Sequence, residues 1–103
     1  MLILFTDFLE RDLKNDVHFY AEKLNTTPQN LNAICRKEFN KTASEIISEH
    51  IIKEVKRSLL YTNKTISEIA FNLGFKDSSH FTKYFKRHTN TTPIQYKLEN
   101  LAS

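Results

Sequence analysis

The side chains that most often carry catalysis or bind metals are few in this sequence, and their spacing does not suit either chemistry. The chain has four histidines and one cysteine among 103 residues. His80 and His88 lie eight residues apart with no cysteine near them, so they do not form a zinc-binding pattern. We find no nucleophile paired with a base and no glycine-rich phosphate loop. The sequence therefore predicts neither an enzyme nor a bound cofactor.

The single cysteine and the distribution of apolar residues indicate the compartment. One cysteine, Cys35, excludes a framework of internal disulfides and fits a reducing cytoplasm. We interpret its thiol as a small buried hydrophobic group, with a redox-sensing thiol as the alternative. The longest apolar run, Leu2–Phe5, is too short to span a membrane and does not have the features of a signal peptide. These features predict a cytoplasmic protein with no membrane partner.

The positive charge is concentrated in the second half of the chain. The formal net charge is +3. Residues 1–50 carry 6 basic and 8 acidic side chains, whereas residues 51–103 carry 9 basic and 4 acidic ones. The second half is therefore the candidate surface for a polyanion. A solvated basic surface without a binding role is the alternative, and charge alone favours it.

Start and stop signals divide the sequence into seven helices and no strand, so the predicted fold is all-α. Thr27 and Thr92 each precede a proline, which is favoured at the first helical position. Thr42 and Thr65 each precede a glutamate by three residues, which is the capping-box pattern, and Asp77 is a further cap. The predicted helices are an opening segment containing Phe5, Phe8, Leu9 and Leu13, then 17–24, 27–39, 42–61, 65–73, 77–88 and a short helix after Thr92.

The sequence repeats itself with a period near 50 residues. Ala21-x-x-Leu24 matches Ala70-x-x-Leu73 at an offset of 49. The offset then becomes 50, a change that falls in a turn, where an insertion is tolerated. The later matches pair Leu31 with Phe81, Ile34 with Tyr84, Cys35 with Phe85, Arg36 with Lys86, Lys37 with Arg87, Asn40 with Asn90 and Thr42 with Thr92. We interpret the apolar members of these pairs as core residues.

Each repeat has the sequence of a helix, a tight turn and a second helix. Asn25 and Gly74 stand at the end of the first helix, where a left-handed backbone is needed. Ala21 and Ala70 allow the second helix to approach closely. This combination predicts a helix-turn-helix, whose second helix enters the major groove of DNA. A plain bundle in which the duplicated pair serves packing alone is the alternative.

The predicted helix 42–61 would join the two repeats. At ~1.5 Å per residue its length is roughly 30 Å. Successive major grooves on one face of DNA lie ~34 Å apart. A rigid helix of this length could hold two reading helices one turn of DNA apart within one monomer.

Residues 65–88 have the sequence TISEIAFNLGFKDSSHFTKYFKRH, and residues 92–96 add TPIQY. This stretch resembles the signature of the AraC/XylS family of bacterial transcription regulators. The first repeat fits the family's weaker pattern through Tyr20–Leu24 and Leu31, so the resemblance covers about residues 5–98. Asn40 and Asn90 stand where the family often has glycine, and asparagine accepts the same left-handed backbone.

The resemblance implies one domain over residues 1–103, the family's C-terminal DNA-binding domain. In it, a homeodomain-like helix-turn-helix at 17–39 and a second at 65–88 flank the linker helix 42–61. It also implies that exposed side chains in the first two turns of each second helix, the recognition helix, contact bases. By position these are Gln29, Asn30, Asn32 and Ala33 in the first helix and Ser78, Ser79, Thr82 and Lys83 in the second. Amides suit adenine, lysine suits guanine and threonine suits the thymine methyl group, whereas Ala33 offers only apolar contact. Ordinary solvated helix residues are the alternative for each.

Basic residues later in the same helices are assigned to phosphates, where charge positions a protein without reading sequence. They are Arg36, Lys37, Lys86 and Arg87, together with Lys76 from the turn before the second recognition helix. The N-termini of the helices near Thr42 and Thr92 are further candidates, because helix N-termini attract phosphate. His80 could also meet a phosphate.

The resemblance implies sequence-specific binding of double-stranded DNA, and activation of transcription through an added contact with RNA polymerase. A helical protein-interaction module that kept the fold and lost DNA binding is the alternative, which the acidic first half supports. Family members usually carry a sensor or dimerisation domain, so the chain is either a fragment of a longer regulator, which we favour, or a stand-alone one. We expect the isolated domain to be monomeric, whereas a parent protein could dimerise through a region outside this sequence.

Overall fold

The computed structural model describes residues 1–101, and within that range it contains seven α-helices and no strand. The predicted all-α fold is therefore confirmed. The helices are α1 (Leu2–Asp12), α2 (Val17–Lys23), α3 (Pro28–Phe39), α4 (Ala43–Tyr61), α5 (Ile66–Asn72), α6 (Ser78–Thr89) and α7 (Pro93–Leu101).

Polar side chains fix where most of these helices begin. Across residues 1–101, six of the seven helices start after a side chain that accepts a hydrogen bond from a backbone N–H of the first turn, which would otherwise have no partner. These side chains are Asp16, Thr27, Thr42, Thr65, Asp77 and Thr92. At α5 the Glu68 carboxylate also accepts from the Thr65 N–H at 3.2 Å, so the predicted capping box is formed.

Residues 1–51 form one compact unit. The rings of Phe5 and Tyr20 meet edge to face in its core, with centroids 5.6 Å apart. The Tyr20 hydroxyl accepts a hydrogen bond from the Lys14 N–H, and burial raises the pKa of this phenol to about 12. The other buried apolar residues are Leu9, Ala21, Leu31, Cys35, Ala43, Ile46, Ile47 and Ile51.

Residues 52–101 belong to a second unit with a more aromatic core. The half-buried Phe75 packs against Phe81 and Tyr84, with ring centroids 5.4 Å and 5.1 Å away. Phe85 meets Tyr96 at 6.0 Å. The remaining buried apolar residues are Val55, Leu59, Ile69, Ala70, Leu73 and Pro93. Helix α4 thus supplies buried side chains to each unit.

Candidate nucleic-acid interface

The two helix pairs have matching dimensions. Helices α2 and α5 both have seven residues and begin 49 residues apart. The recognition helices α3 and α6 both have twelve residues and begin 50 residues apart. The repeat that was inferred from sequence is therefore a repeat of structure.

The turns inside the two pairs share one hydrogen-bond pattern. Asn25 and Gly74 have positive φ angles of 55° and 86°, as predicted. The next residue donates its N–H to a carbonyl five residues back, from Thr26 to Ala21 and from Phe75 to Ala70. These bonds form the Schellman ending of a helix. The buried methyl groups of Ala21 and Ala70 lie at the start of this ending.

The structure locates the extra residue of the second turn at Lys76. Thr26 and Phe75 still correspond at an offset of 49, whereas the caps Thr27 and Asp77 correspond at 50. Lys76 is therefore the residue without a counterpart in the first turn. Lys76 is exposed and directly precedes Asp77, the cap of α6. Only the second recognition helix therefore has a lysine at this place.

The predicted base contacts on α3 do not have equal freedom. Gln29, Asn30 and Ala33 are exposed, whereas Asn32 is half-buried. The Asn30 amide donates to Thr26 Oγ1 at 2.7 Å, so one of its donor hydrogens is occupied. The Gln29 side chain forms no hydrogen bond with any described residue, and it is the most available amide of this helix.

Asn32 is bonded to another helix. Its Oδ1 accepts a hydrogen bond from the backbone N–H of Ala43, the first residue of α4, at 2.8 Å. Sequence reasoning missed this contact, because it joins positions eleven residues apart in different helices.

The predicted base contacts on α6 are all accessible. Ser79 and Lys83 are exposed, and Ser78 and Thr82 are half-buried. Within residues 1–101 none of these four side chains forms a hydrogen bond or an ion pair. They are free to take partners from outside the chain.

A second contact that sequence reasoning missed lies at the start of α6. The Asp77 carboxylate accepts from the His80 N–H at 2.9 Å and lies 2.9 Å from His80 Nδ1. These two hydrogen bonds, the backbone one first, lower the pKa of Asp77. The signal available was an aspartate cap followed three residues later by histidine. The His80 ring, a predicted phosphate contact, is thus oriented by the cap.

The basic residues predicted to meet phosphates are all exposed and lack acidic partners in the described part of the chain. They are Arg36, Lys37, Lys76, Lys86 and Arg87. The Arg87 guanidinium lies 5.7 Å from the centroid of the Tyr84 ring, within cation–π distance. By contrast, Lys23, Lys41 and Arg57 are paired with carboxylates.

The N-termini of α4 and α7 are capped in the same way but differ in charge. Thr42 Oγ1 accepts from the Glu45 N–H and Thr92 Oγ1 from the Gln95 N–H, both at 3.1 Å. In return, the Glu45 carboxylate and the Gln95 amide oxygen accept from the backbone of Thr42 and Thr92. The α4 cap carries a negative charge that would oppose a phosphate, whereas the α7 cap is neutral.

The large apolar residues of the recognition helices are mostly core, as predicted. Leu31, Phe81, Tyr84 and Phe85 are buried, and Ile34 is half-buried. Cys35 is 0% exposed, and burial raises the pKa of its thiol. A thiol in this environment is a poor nucleophile, so the interpretation as a small hydrophobe is supported over a redox sensor.

Neither a membrane span nor a metal cluster is present in residues 1–101. No helix in this range combines the length and apolarity that crossing a bilayer requires. No three His, Cys, Asp or Glu side chains of the same range lie close enough to share a metal ion.

Known proteins share this sequence pattern. A family model described as a helix-turn-helix domain matches residues 20–99. An uncharacterised helix-turn-helix transcriptional regulator from Pseudoalteromonas carrageenovora, encoded in the cgkA 5′ region, is 41% identical over 58 residues, covering 56% of this chain and 34% of that protein. The transcriptional activator PerA of Escherichia coli O127:H6 is 39% identical over 64 residues, covering 59% of this chain and 23% of PerA. The chain thus spans only about a third or less of the length of these relatives.

Solved structures share the fold. The C-terminal domain of the two-component response regulator yesN from Fusobacterium nucleatum matches with a TM-score of 0.80 and 26% identity, covering 91% of this chain and 94% of that one. The DNA-binding domain of AdpA, solved in complex with a target DNA, matches with a TM-score of 0.78 and 17% identity, covering 94% and 88%.

Proposed function

The chain belongs to the AraC/XylS family of helix-turn-helix transcription regulators, and we propose that it binds specific double-stranded DNA sequences through α3 and α6. The observation that supports this most directly is the set of polar and basic side chains that α6 presents to solvent. Its first two turns present four polar side chains with no partner in the described chain, and its last turn presents Lys86 and Arg87. This order places groups for base edges ahead of charges for phosphates.

Base contacts are proposed for the accessible side chains of both recognition helices. Gln29 can pair bidentately with adenine, and Lys83 can donate to guanine O6 and N7. Asn32 is not included among the proposed base contacts, because its side-chain oxygen accepts a hydrogen bond from α4. The full proposed set is Gln29, Asn30, Ala33, Ser78, Ser79, Thr82 and Lys83.

Phosphate contacts are proposed for the five exposed basic residues, Arg36, Lys37, Lys76, Lys86 and Arg87. Each cation that neutralises a phosphate releases counterions, so binding should weaken as salt rises. The neutral cap of α7 makes its N-terminus the better of the two helix ends for a backbone phosphate. Three of the five cations lie in the second repeat, which should supply the larger part of the electrostatic attraction.

Recognition of two successive major grooves is the finer part of the proposal. Helix α4 has 19 residues. At ~1.5 Å per residue its length is about 28 Å, which is comparable with the ~34 Å between successive major grooves. The target would then contain two short half-sites about 10 base pairs apart.

We further propose that the chain acts in the bacterial cytoplasm as an activator that also contacts RNA polymerase. The similarity to PerA, an activator by name, supports this role.

Selection of bound duplexes from a random pool tests the proposal. We expect enrichment of one sequence with two conserved blocks about one helical turn apart, and an affinity that falls steeply between 50 and 200 mM salt. An unselective pool, together with binding that does not respond to salt, would contradict DNA recognition. Enrichment of a single block would contradict only the two-groove arrangement.

A further inference from the structure

The hydrogen bond from the Ala43 N–H to Asn32 Oδ1, 2.8 Å long, ties the first recognition helix to the start of α4. Ala43 is completely buried and is the first residue of its helix. The first N–H groups of a helix have no partner within it. A buried N–H without a partner is costly, so the Asn32 carbonyl satisfies a group that water cannot reach.

The second repeat lacks this requirement. At the offset of 50 residues, Asn32 corresponds to Thr82 and Ala43 corresponds to Pro93. Proline has no N–H to satisfy. Pro93 is fully buried at the start of α7, and the Thr82 hydroxyl forms no hydrogen bond with the described chain. The same position is therefore engaged in one recognition helix and available in the other.

We propose that Asn32 is a positioning residue that holds α3 against the N-terminus of α4, and that among these two matched positions only Thr82 contacts a base. An asparagine that recognises adenine must present both its oxygen and its amide to the base edge. A carboxamide whose oxygen is held by Ala43 cannot swing towards the groove without leaving a buried N–H unpaired. The part of this proposal that concerns base contacts rests on the proposed DNA binding. The part that concerns the hydrogen bond between Asn32 and Ala43 does not.

The hydrogen bond can be tested without DNA by a thermal double-mutant cycle of N32A and A43P. Proline at position 43 copies the second repeat, where the same threonine–proline pair starts a helix. N32A alone should lower Tm by roughly 4–8 °C, as expected for one hydrogen bond in a domain of this size. In the A43P background, N32A should lower Tm by a much smaller amount, because proline has no N–H that needs the Asn32 oxygen. N32D keeps the acceptor and should retain the Tm of the parent, which tests the bond even if N32A does not fold.

The positioning role is tested with a selected duplex at a temperature where every variant is folded. N32A should raise Kd severalfold for the selected duplex and for its single-base variants alike, and N32T/A43P, which copies the second repeat, should recover the affinity. A residue important only for stability would leave Kd unchanged under these conditions. T82A should instead alter the preference at one or two base pairs, with Tm unchanged.

Three results would overturn the assignment: a change of base preference in N32A, an unchanged Kd in N32A, or equal Tm losses for N32A in the two backgrounds. The first would make Asn32 a base contact, and the second would leave it a purely structural role. If the parent protein selects no duplex, the proposed DNA binding fails and the base-contact half fails with it. The thermal cycle would still decide whether Asn32 satisfies the Ala43 N–H.

Discussion

Asn40 and Asn90, fifty residues apart, hold the same left-handed backbone conformation, with φ angles of 57° and 64°. Each follows the last residue of a recognition helix and donates its N–H to a carbonyl one turn back, on Arg36 and Lys86. The two recognition helices therefore end in the same way. Four of the five basic residues that we assign to phosphates lie in the turns that these asparagines close, namely Arg36, Lys37, Lys86 and Arg87.

Replacement of these asparagines tests the left-handed ends. N40A and N90A should each lower the free energy of unfolding by about 1 kcal/mol, because a Cβ-bearing residue without a helpful polar side chain is strained in this conformation. N40G and N90G are the matched controls and should be close to neutral, since glycine adopts positive φ freely. Urea unfolding measures the differences. Alanine variants as stable as the glycine variants would show that the ends are not held in this conformation.

The helix boundaries could be predicted because their signals are local. A capping hydroxyl such as Thr65 acts on a backbone group three residues away, and Gly74 acts on its own backbone. The end of α1 had no such signal. Leu13 was predicted to lie on the apolar face of that helix, whereas it has a φ of 46° and ends the helix. The nearby Lys14 N–H donates to the Tyr20 hydroxyl, a contact from the loop after α1 to a side chain of α2.

The sequence predicts which positions occupy the candidate interface, but it does not predict which of their side chains are free to bind. The repeat and the resemblance placed Asn32 and Thr82 at matching sites, and both are half-buried on recognition helices. Which of the two has a free side chain depends on whether residue 43 or 93 has an N–H to donate. That dependence joins different helices, so neither spacing nor residue type along one helix reveals it.

Removal of the Arg87 side chain and removal of the Lys83 side chain should change DNA binding in different ways. R87A should weaken binding to all duplexes by a similar factor and reduce the slope of log K against log salt by about 0.9, the value for one phosphate contact. K83A should relax the preference at one or two base pairs. Titrations of the selected duplex and its single-base variants at several salt concentrations distinguish the two. K53A, which removes an exposed lysine of α4, is the control. Loss of selectivity in R87A, or its retention in K83A, would reverse the assignments.

The capping boxes of α4 and α7 allow a charge to be removed or added without disturbing a helix. E45Q and Q95E keep the capping acceptor, so both should leave Tm nearly unchanged. E45Q should tighten DNA binding and Q95E should weaken it, each by about twofold, since unit charges ~8 Å apart in water interact by about 0.5 kcal/mol. Binding titrations at 50 mM and 200 mM salt measure both effects, which should shrink at the higher salt. Unchanged affinity in both variants would remove these helix ends from the interface.

The buried phenol of Tyr20 should make stability depend on alkaline pH. Burial raises the pKa of Tyr20 to about 12, above the value of about 10 for an unfolded chain. Its contribution to stability is therefore complete below pH 10 and is lost as the pH rises from 10 towards 12. Y20F should remove this part of the alkaline loss. It should also lower stability at neutral pH by about 1 kcal/mol, because the Lys14 N–H loses its acceptor.

Melting curves between pH 8 and 11 measure the effect of Tyr20. Y61F is the matched control, because the Tyr61 ring is 80% exposed at the end of α4. The control should follow the parent protein at every pH. An alkaline loss of the same size in Y20F and in the parent protein would show that Tyr20 is not its source.

Cys35 should be unreactive until the chain unfolds. Its side chain is 0% exposed, and burial raises the pKa of the thiol from its ordinary value, which disfavours the reactive thiolate. Labelling with a disulfide reagent should be slow in the native protein and should speed up through the urea transition in step with the loss of helical signal. Glutathione at the same pH gives the rate of a free thiol. Labelling of the native protein at that rate would restore the redox-sensing interpretation, whereas protection that persists until unfolding assigns Cys35 to the core of the first repeat.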